Sequence, residues 1–361
     1  MIRLWLAVVV LAAGLVAAPA RSGPAPEAVA QYGRQDAPLR LLIRGATDID
    51  TFGPVVEAFT VGNPLYSVTL EQWNSIDLFD LALAECRAGQ TEADLVISSA
   101  VDLQVKLVNE GCARAHVSAL ASALPPDRNW RDELFGVTQE PAVIVYNRNL
   151  LPEALRPKSR FDLLDILRQP DSPFAGGRIA TYDIHVSGVG YLFAFFDSRQ
   201  ASTFGSLIEA FGRLGAVATC CSAEIIHGVR NGQYLLAYNV LGSYALDLAR
   251  DYPELEVVAP SDYTLVLSRA VLIPRQTDAP EGAGRLIDFL LSPPGQAALA
   301  ENHLIVEIGE GEDIAFPRDS IAARRSIPLS PVLLLGLDRQ ERERFLTAWD
   351  TAFAQGHRPR R

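Results

Sequence analysis

From Pro38 onward the chain alternates short apolar runs with stretches whose apolar positions recur at helical spacing. Leu39–Arg44, Ser67–Leu70 and Asp94–Ile97 read as strands. Each is followed by a helix-like stretch: Ile49–Phe59, then Ser75–Arg87 with Ile76, Phe79 and Leu83 on one face, then Ala100–Asn109 stopped by Gly111. Further strands are expected at Ala142–Tyr146, Arg178–Thr181, Leu235–Tyr238, Leu255–Val258 and, as one longer strand, Thr264–Ile273. Helices are expected at Phe161–Leu167, from Ser187 onward, at Ser202–Leu214, Glu281–Leu291 and Gln296–Asn302. The repetition implies an α/β fold of mainly parallel sheets covered by helices. Asp338–Phe353 carries Phe345, Leu346, Trp349 and Phe353 on one face and is expected to pack back on the body, with a docking helix for a partner as the alternative. Gln355–Arg361 reads as a disordered basic end.

The first residues break this pattern. Met1-Ile2-Arg3, the apolar run Leu4–Ala18 and the triplet Ala18-Pro19-Ala20 have the order of a secretory signal peptide ending near residue 20. The run is short for an uncleaved membrane anchor. No Cys follows it to take a lipid, and Ala28-Val29-Ala30 offers a second cleavage site. An exported protein held in the periplasm, not lipid-anchored, is therefore expected. The net charge of −11 argues against nucleic acid as a partner.

In an oxidising compartment the four cysteines can pair. Cys86 and Cys112 fall at ends of predicted helices in one region and are the plausible bridge; Cys220 and Cys221 are adjacent, which an ordinary bridge does not tolerate without distortion. Buried free thiols are the alternative for both pairs.

Candidate chemistry sits beyond the strand ends, where open α/β sheets bind ligands. Four loops present hydroxyl or amide groups at helix entrances: Arg44 to Asp48 with Thr47, then Asn74-Ser75, then Ser98-Ser99, then Tyr182 to Gly190 with His185 and Ser187-Gly188-Val189-Gly190. Free N–H groups and the helix dipole make such entrances suited to anions. The plain alternative is that each residue is a helix cap. Arg44 adds a fork for a carboxylate or phosphate, or else a salt bridge to Asp48 or Asp50. Tyr238-Asn239 offers a hydroxyl and an amide after another strand. No catalytic set emerges: Leu241-Gly242-Ser243-Tyr244-Ala245 lacks the second Gly of a nucleophile elbow, and the five histidines show no metal-ligand spacing.

Several stretches resemble a type 2 periplasmic solute-binding protein of the ferric-iron-binding-protein superfamily. They are Ala93–Ser99, Val145–Leu151, Gly232–Asn239 and above all Leu286–Gln296, which is similar to the family's "DFLLSPEGQ"-like helix junction. The resemblance implies two α/β lobes around a ligand cleft. The N-terminal lobe would span 38–145, completed by about 265–361, and the C-terminal lobe 146–264, with crossings near Val143–Asn147 and Val257–Leu267. It also implies a monomer without cofactor or resident metal that delivers a solute to an ABC permease or reports it to a membrane sensor kinase. In iron-binding members a Ser-Gly-Ala helix start similar to Ser187-Gly188-Val189 holds a phosphate. Their adjacent Tyr-Tyr pair is missing here, since Val240-Leu241 follows Asn239, and Arg44 and Thr47 stand where a His is expected. A small organic anion, phosphorylated or carboxylated, is therefore the expected ligand. Ferric iron with a synergistic anion, a sensor role, and an exported hydrolase using the same pocket are the alternatives.

Overall fold

The computed structural model describes residues 25–306 and 324–354. The proposed leader with its Ala18-Pro19-Ala20 site, and the basic end Gln355–Arg361, lie outside the described residues. In chain order the first lobe is β1 (Ala28–Gly33), β2 (Leu39–Gly45), α1 (Ile49–Gly62), β3 (Tyr66–Gln72), α2 (Ser75–Arg87), β4 (Leu95–Ser98), α3 (Val101–Asn109), β5 (Ala113–Arg114), α4 (Ala119–Ser122), β6 (Asn129–Trp130) and β7 (Leu134–Gly136). The chain then crosses into β8 (Glu140–Asn147), α5 (Arg160–Arg168), β9 (Ile179–Tyr182), α6 (Gly188–Gln200), α7 (Phe204–Leu214), β10 (Val217–Thr219), α8 (Ser222–Arg230), β11 (Leu236–Leu241), α9 (Gly242–Asp251), β12 (Leu255–Val258) and β13 (Thr264–Leu267). It returns through β14 (Ala270–Pro274), α10 (Pro280–Leu291) and α11 (Pro293–Glu301), and ends in β15 (Arg324–Ser326), a 3-10 turn at Pro331–Leu337 and α12 (Arg339–Ala354).

Each lobe has one sheet. The first runs β1-β3-β2-β4-β14-β7-β6 with β5 on β14; the second runs β10-β9-β11-β8-β13-β15 with β12 on β8. The parallel stretch is three strands in each, β3-β2-β4 and β10-β9-β11, connected through helices. Strands entering from the other lobe, β14 and β8, run antiparallel to that stretch because the chain arrives from the opposite end. β8 is buried along its whole length, in keeping with a central strand covered on both faces. β1 pairs antiparallel with β3, so the second small-x-small triplet lies inside a paired edge strand.

Two expectations about the lobes change. The run Thr264–Ile273 is two strands in two sheets, divided at Ser268-Arg269. The crossings are therefore Val137–Gln139 and Ser268-Arg269, just outside the ranges the sequence suggested. They bond to each other: Arg269 N–H donates to Thr138 Oγ1 at 2.7 Å and Ser268 Oγ to the Thr138 carbonyl at 2.5 Å. The one mark of the change of sheet is the polar pair Ser268-Arg269, which reads equally as an irregularity within a single strand. Beyond residue 306 the chain does not simply complete the first lobe. β15 pairs with β13 of the second sheet, and α12 packs on α7.

The amphipathic tail packs back as expected. Phe345, Leu346, Trp349 and Phe353 join the core of the second lobe with Leu207, Ile208 and Phe211. Cys86–Cys112 is a disulfide joining the end of α2 to the strand after α3, and Cys220–Cys221 is also a disulfide, so neither pair is free thiols.

Candidate functional site

The cleft floor is a buried ion pair. Arg269 Nε and Nη2 donate to the two oxygens of Glu140 at 3.0 and 2.9 Å, with both side chains fully buried. Its Nη1 donates to the Ala46 carbonyl at 3.2 Å and to Thr47 Oγ1. Glu140 also accepts from Thr138 Oγ1 at 2.8 Å and from Ser243 Oγ, at the start of α9, at 2.6 Å. Burial opposes the Arg269 charge, but Glu140 more than offsets it and raises the arginine's pKa. One pair thus ties a loop of the first lobe, both crossing strands and a helix start of the second lobe. A buried charge with all its donors satisfied is rigid, and losing either partner would leave the other stranded.

Above this floor lies a cavity of about 70 Å³. The first lobe contributes Glu27, Ala46, Asp48, Trp73, Asn74, Ser75 and Ser99; the second contributes Tyr182, Ser187, Val189, Cys220, Cys221, Ser222, Ala223, Leu241 and Tyr244. Most of these positions lie at helix starts: α1, α2 and α3 from one lobe, α6, α8 and α9 from the other. Around this cavity, among the described residues, three hydrogen bonds join the lobes. Gly188 N–H donates to Ser75 Oγ at 3.0 Å, Asn74 Nδ2 to the Val186 carbonyl at 3.1 Å, and Asp48 N–H to Tyr244 Oη at 3.2 Å.

Glycine is required at 188 by this contact. A Cβ there would sit 2.8 Å from Ala100 Cβ and 2.9 Å from Ser75 Oγ, both on the opposite lobe. Ser187 caps α6, accepting from Gly190 N–H at 3.2 Å, and a Cβ on Gly190 would run into the Tyr182 ring base. So Ser187 and Val189 face the cavity, while the Gly188 N–H is spent on the lobe contact.

The other sequence candidates divide. Asn74, Ser75 and Ser99 line the cavity. Ser98 turns back to accept from Ala100 N–H at 3.1 Å, and Thr47 is held by Arg269. Arg44 is not in the cavity. It lies one residue inside the end of β2, opposite Glu71 on β3, and its fork reaches Glu71, Glu85 and Glu92 at 2.9, 2.8 and 2.8 Å, neither Asp48 nor Asp50. Those partners are far along the chain, so no local pattern announces them. His185 points to the C-terminal helix, with Nε2 2.7 Å from Asp350 Oδ1.

Tyr238 and Asn239 serve a buried network in the second lobe. Asp197 accepts from Tyr238 Oη, Asn239 Nδ2 and Tyr263 Oη at 2.7 Å each, and from Arg160 Nη2 at 3.1 Å. Asn239 takes a left-handed backbone (φ 60°) at a bulge in β11, which turns its amide into that network. Burial disfavours the Arg160 cation, yet the surrounding Tyr238, Asp197, Tyr263 and Asp262 oxygens raise its pKa.

Sequence reasoning missed Tyr244, the Glu140–Arg269 floor, and the wall formed by Cys220, Cys221 and Ser222, and took Tyr182 only as the start of a candidate loop. The one available signal was the weak elbow-like run at Leu241–Ala245, which places Ser243 on Glu140 and Tyr244 in the cavity. Burial raises the pKa of Tyr182 to about 12 and that of Tyr244 above the ordinary tyrosine value. Asp48 is also raised, first by burial, with Arg269 opposing. No Lys or Arg side chain lines the cavity among the described residues.

The sequence profile of bacterial extracellular solute-binding proteins matches residues 55–305. This chain belongs to that family. The substrate-binding protein of an ABC transporter from Agrobacterium tumefaciens is 35% identical, superposes with a TM-score of 0.84, and is covered over 100% of its length by 92% of this chain. Iron-bound HitA from Pseudomonas aeruginosa (15% identity, TM-score 0.68, 87% of this chain and 99% of that one) has the same fold. So does AfuA from Actinobacillus pleuropneumoniae with fructose-6-phosphate bound (16% identity, TM-score 0.66, 88% and 99%). No curated protein matches the chain. The two-lobed α/β architecture and the solute-binding family expected from the sequence are both found.

Proposed function

We propose that this protein is the periplasmic solute-binding component of an ABC importer, and that it captures a small organic anion between its lobes by hinge closure. One observation carries the reading: six helix starts, three from each lobe, open onto a single cavity at the lobe boundary. Each contributes roughly half a positive charge, so together they favour an anionic group without a basic side chain, against the two carboxylates, Glu27 and Asp48, that also line the cavity. Ser75, Ser99, Ser187 and Ser222 supply hydroxyls that adapt to a carboxylate or a phosphate. Closure would bring the two sets of donors onto one ligand, and a permease would receive the closed form. Arg44 has no part in this, so specificity rests on N–H and O–H donors alone.

Ferric iron fits less well. The cavity holds two phenols, but burial raises both and works against the phenolates iron prefers. A thermal-shift screen decides between the readings: fructose 6-phosphate, 3-phosphoglycerate, succinate, and ferric ion with and without phosphate. A bound anion raises the melting temperature with concentration. Charge-transfer absorbance with ferric ion, and no shift with any organic anion, would replace this reading with the iron one.

A further inference from the structure

The C-terminal segment crosses from one lobe to the other. It leaves β15 on the second sheet, and Leu329 N–H donates to the Asp127 carbonyl of the first lobe at 2.8 Å. The 3-10 turn then lies on α3, burying Leu333 beside Val101 and Val105. At Gly336 the chain passes to the second lobe, where Tyr191 Oη donates to the Gly336 carbonyl at 2.5 Å. There α12 settles on α7, with the Phe345 ring 5.7 Å from Tyr191 and 5.6 Å from Phe195, and Trp349 6.4 Å from Phe204.

The two attachments differ in quality. α12 is held by a dense aromatic cluster, and Trp349 is only 6% exposed. The grip on α3 rests on buried Leu333 and half-buried Leu334, beside a cavity of about 300 Å³ lined by Asp102, Lys106, Tyr191 and Arg342 among others. In that cavity Asp102 is buried, and its Oδ1 has no hydrogen-bond partner among the described residues. The Arg342 guanidinium touches the Tyr191 ring at 5.3 Å rather than a carboxylate. Gly188 also lines this cavity, so the junction lies directly behind the lobe contact at Ser75.

We propose that the C-terminal segment is a strap that rides on the second lobe through α12, and that its detachable hold on α3 sets how readily the cleft opens. The inference rests on the reading of this cleft as one that opens and closes around a solute. If the two lobes separate, either the α3 contact or the α12 contact must part, and the turn on α3 brings no aromatic ring and leaves its Val332 and Leu335 exposed.

Small-angle X-ray scattering of the full chain, stripped of bound solute by unfolding and refolding, tests this without a ligand. Leu333→Ala should shift the protein to a larger radius of gyration and a broader distance distribution, with circular dichroism unchanged. Leu334→Ala, which trims a half-buried side chain of the same turn packed against the cluster of Val101 and Val105, should give a smaller shift in the same direction and serves if the first variant does not fold. Scattering identical to that of the parent for a folded variant overturns the strap. The solute reading fails separately, if the strap variants open yet no anion of the screen above alters the parent's scattering or melting.

Discussion

The lobes meet at two places behind and in front of the start of α6, and the two are built differently. In front, the cleft contact is polar and matched: Gly188 N–H meets Ser75 Oγ, Asn74 meets the Val186 carbonyl, and Asp48 N–H meets Tyr244. Behind, the strap junction buries Asp102, whose Oδ1 has no hydrogen-bond partner among the described residues, and sets Arg342 over the Tyr191 ring. Matched short groups give a contact that forms in one geometry only, while unmatched ones leave a contact that costs little to part. The front fixes what the closed cleft looks like; the back sets how easily it opens.

Altering the hinge pair, which ties the crossing strands to both lobes, has the largest expected effect. Glu140→Leu leaves Arg269 buried without its carboxylate and should cost about 3–5 kcal/mol in urea unfolding. Adding Arg269→Met should restore most of that. If the double variant is no better than the single, the pair is not the organising feature of the floor.

Asp102→Asn probes the back. Burial raises the Asp102 pKa from 3.8 to about 7, with the Leu103 N–H and Arg342 opposing. A raised carboxylate favours the folded state fully below the unfolded value and loses that advantage as pH climbs toward 7. The variant should therefore match the parent near pH 4 and exceed it by about 1–4 kcal/mol at pH 8. Parallel pH–stability curves for the two proteins would mean that Asp102 is solvated. Ser75→Ala is the mildest change. It removes one matched bond at the front, worth about 1 kcal/mol, and should weaken solute binding roughly fivefold without altering the melting temperature of the solute-free protein.

Much of the front was legible in the sequence. Strand-then-helix periodicity placed Asn74, Ser75, Ser99 and Ser187 at helix starts, and helix starts at strand ends converge by topology alone. What was not legible depends on partners far along the chain. Arg44 faces Glu71, Glu85 and Glu92 across strands and helices, and Tyr238-Asn239 turn inward to Asp197 through a bulge. The same holds for the floor, where Glu140 and Arg269 stand 129 residues apart. An isolated Arg in a strand looks the same whether it grips a ligand or a glutamate. The division of Thr264–Ile273 between sheets had only the polar pair Ser268-Arg269 to mark it, and such a pair does not distinguish one irregular strand from two strands in two sheets.

The central claim is that a solute is held by closure at the start of α6. It is tested most directly by Gly188→Val, assayed by thermal shift against the organic anion that most stabilises the parent. The added side chain meets Ala100 and Ser75 and should keep the lobes apart while leaving each lobe folded. The account predicts a cooperative melt near that of the parent and at least a tenfold loss of apparent affinity, about 1.4 kcal/mol or more. An unchanged ligand-induced shift in a folded Gly188→Val protein would contradict it.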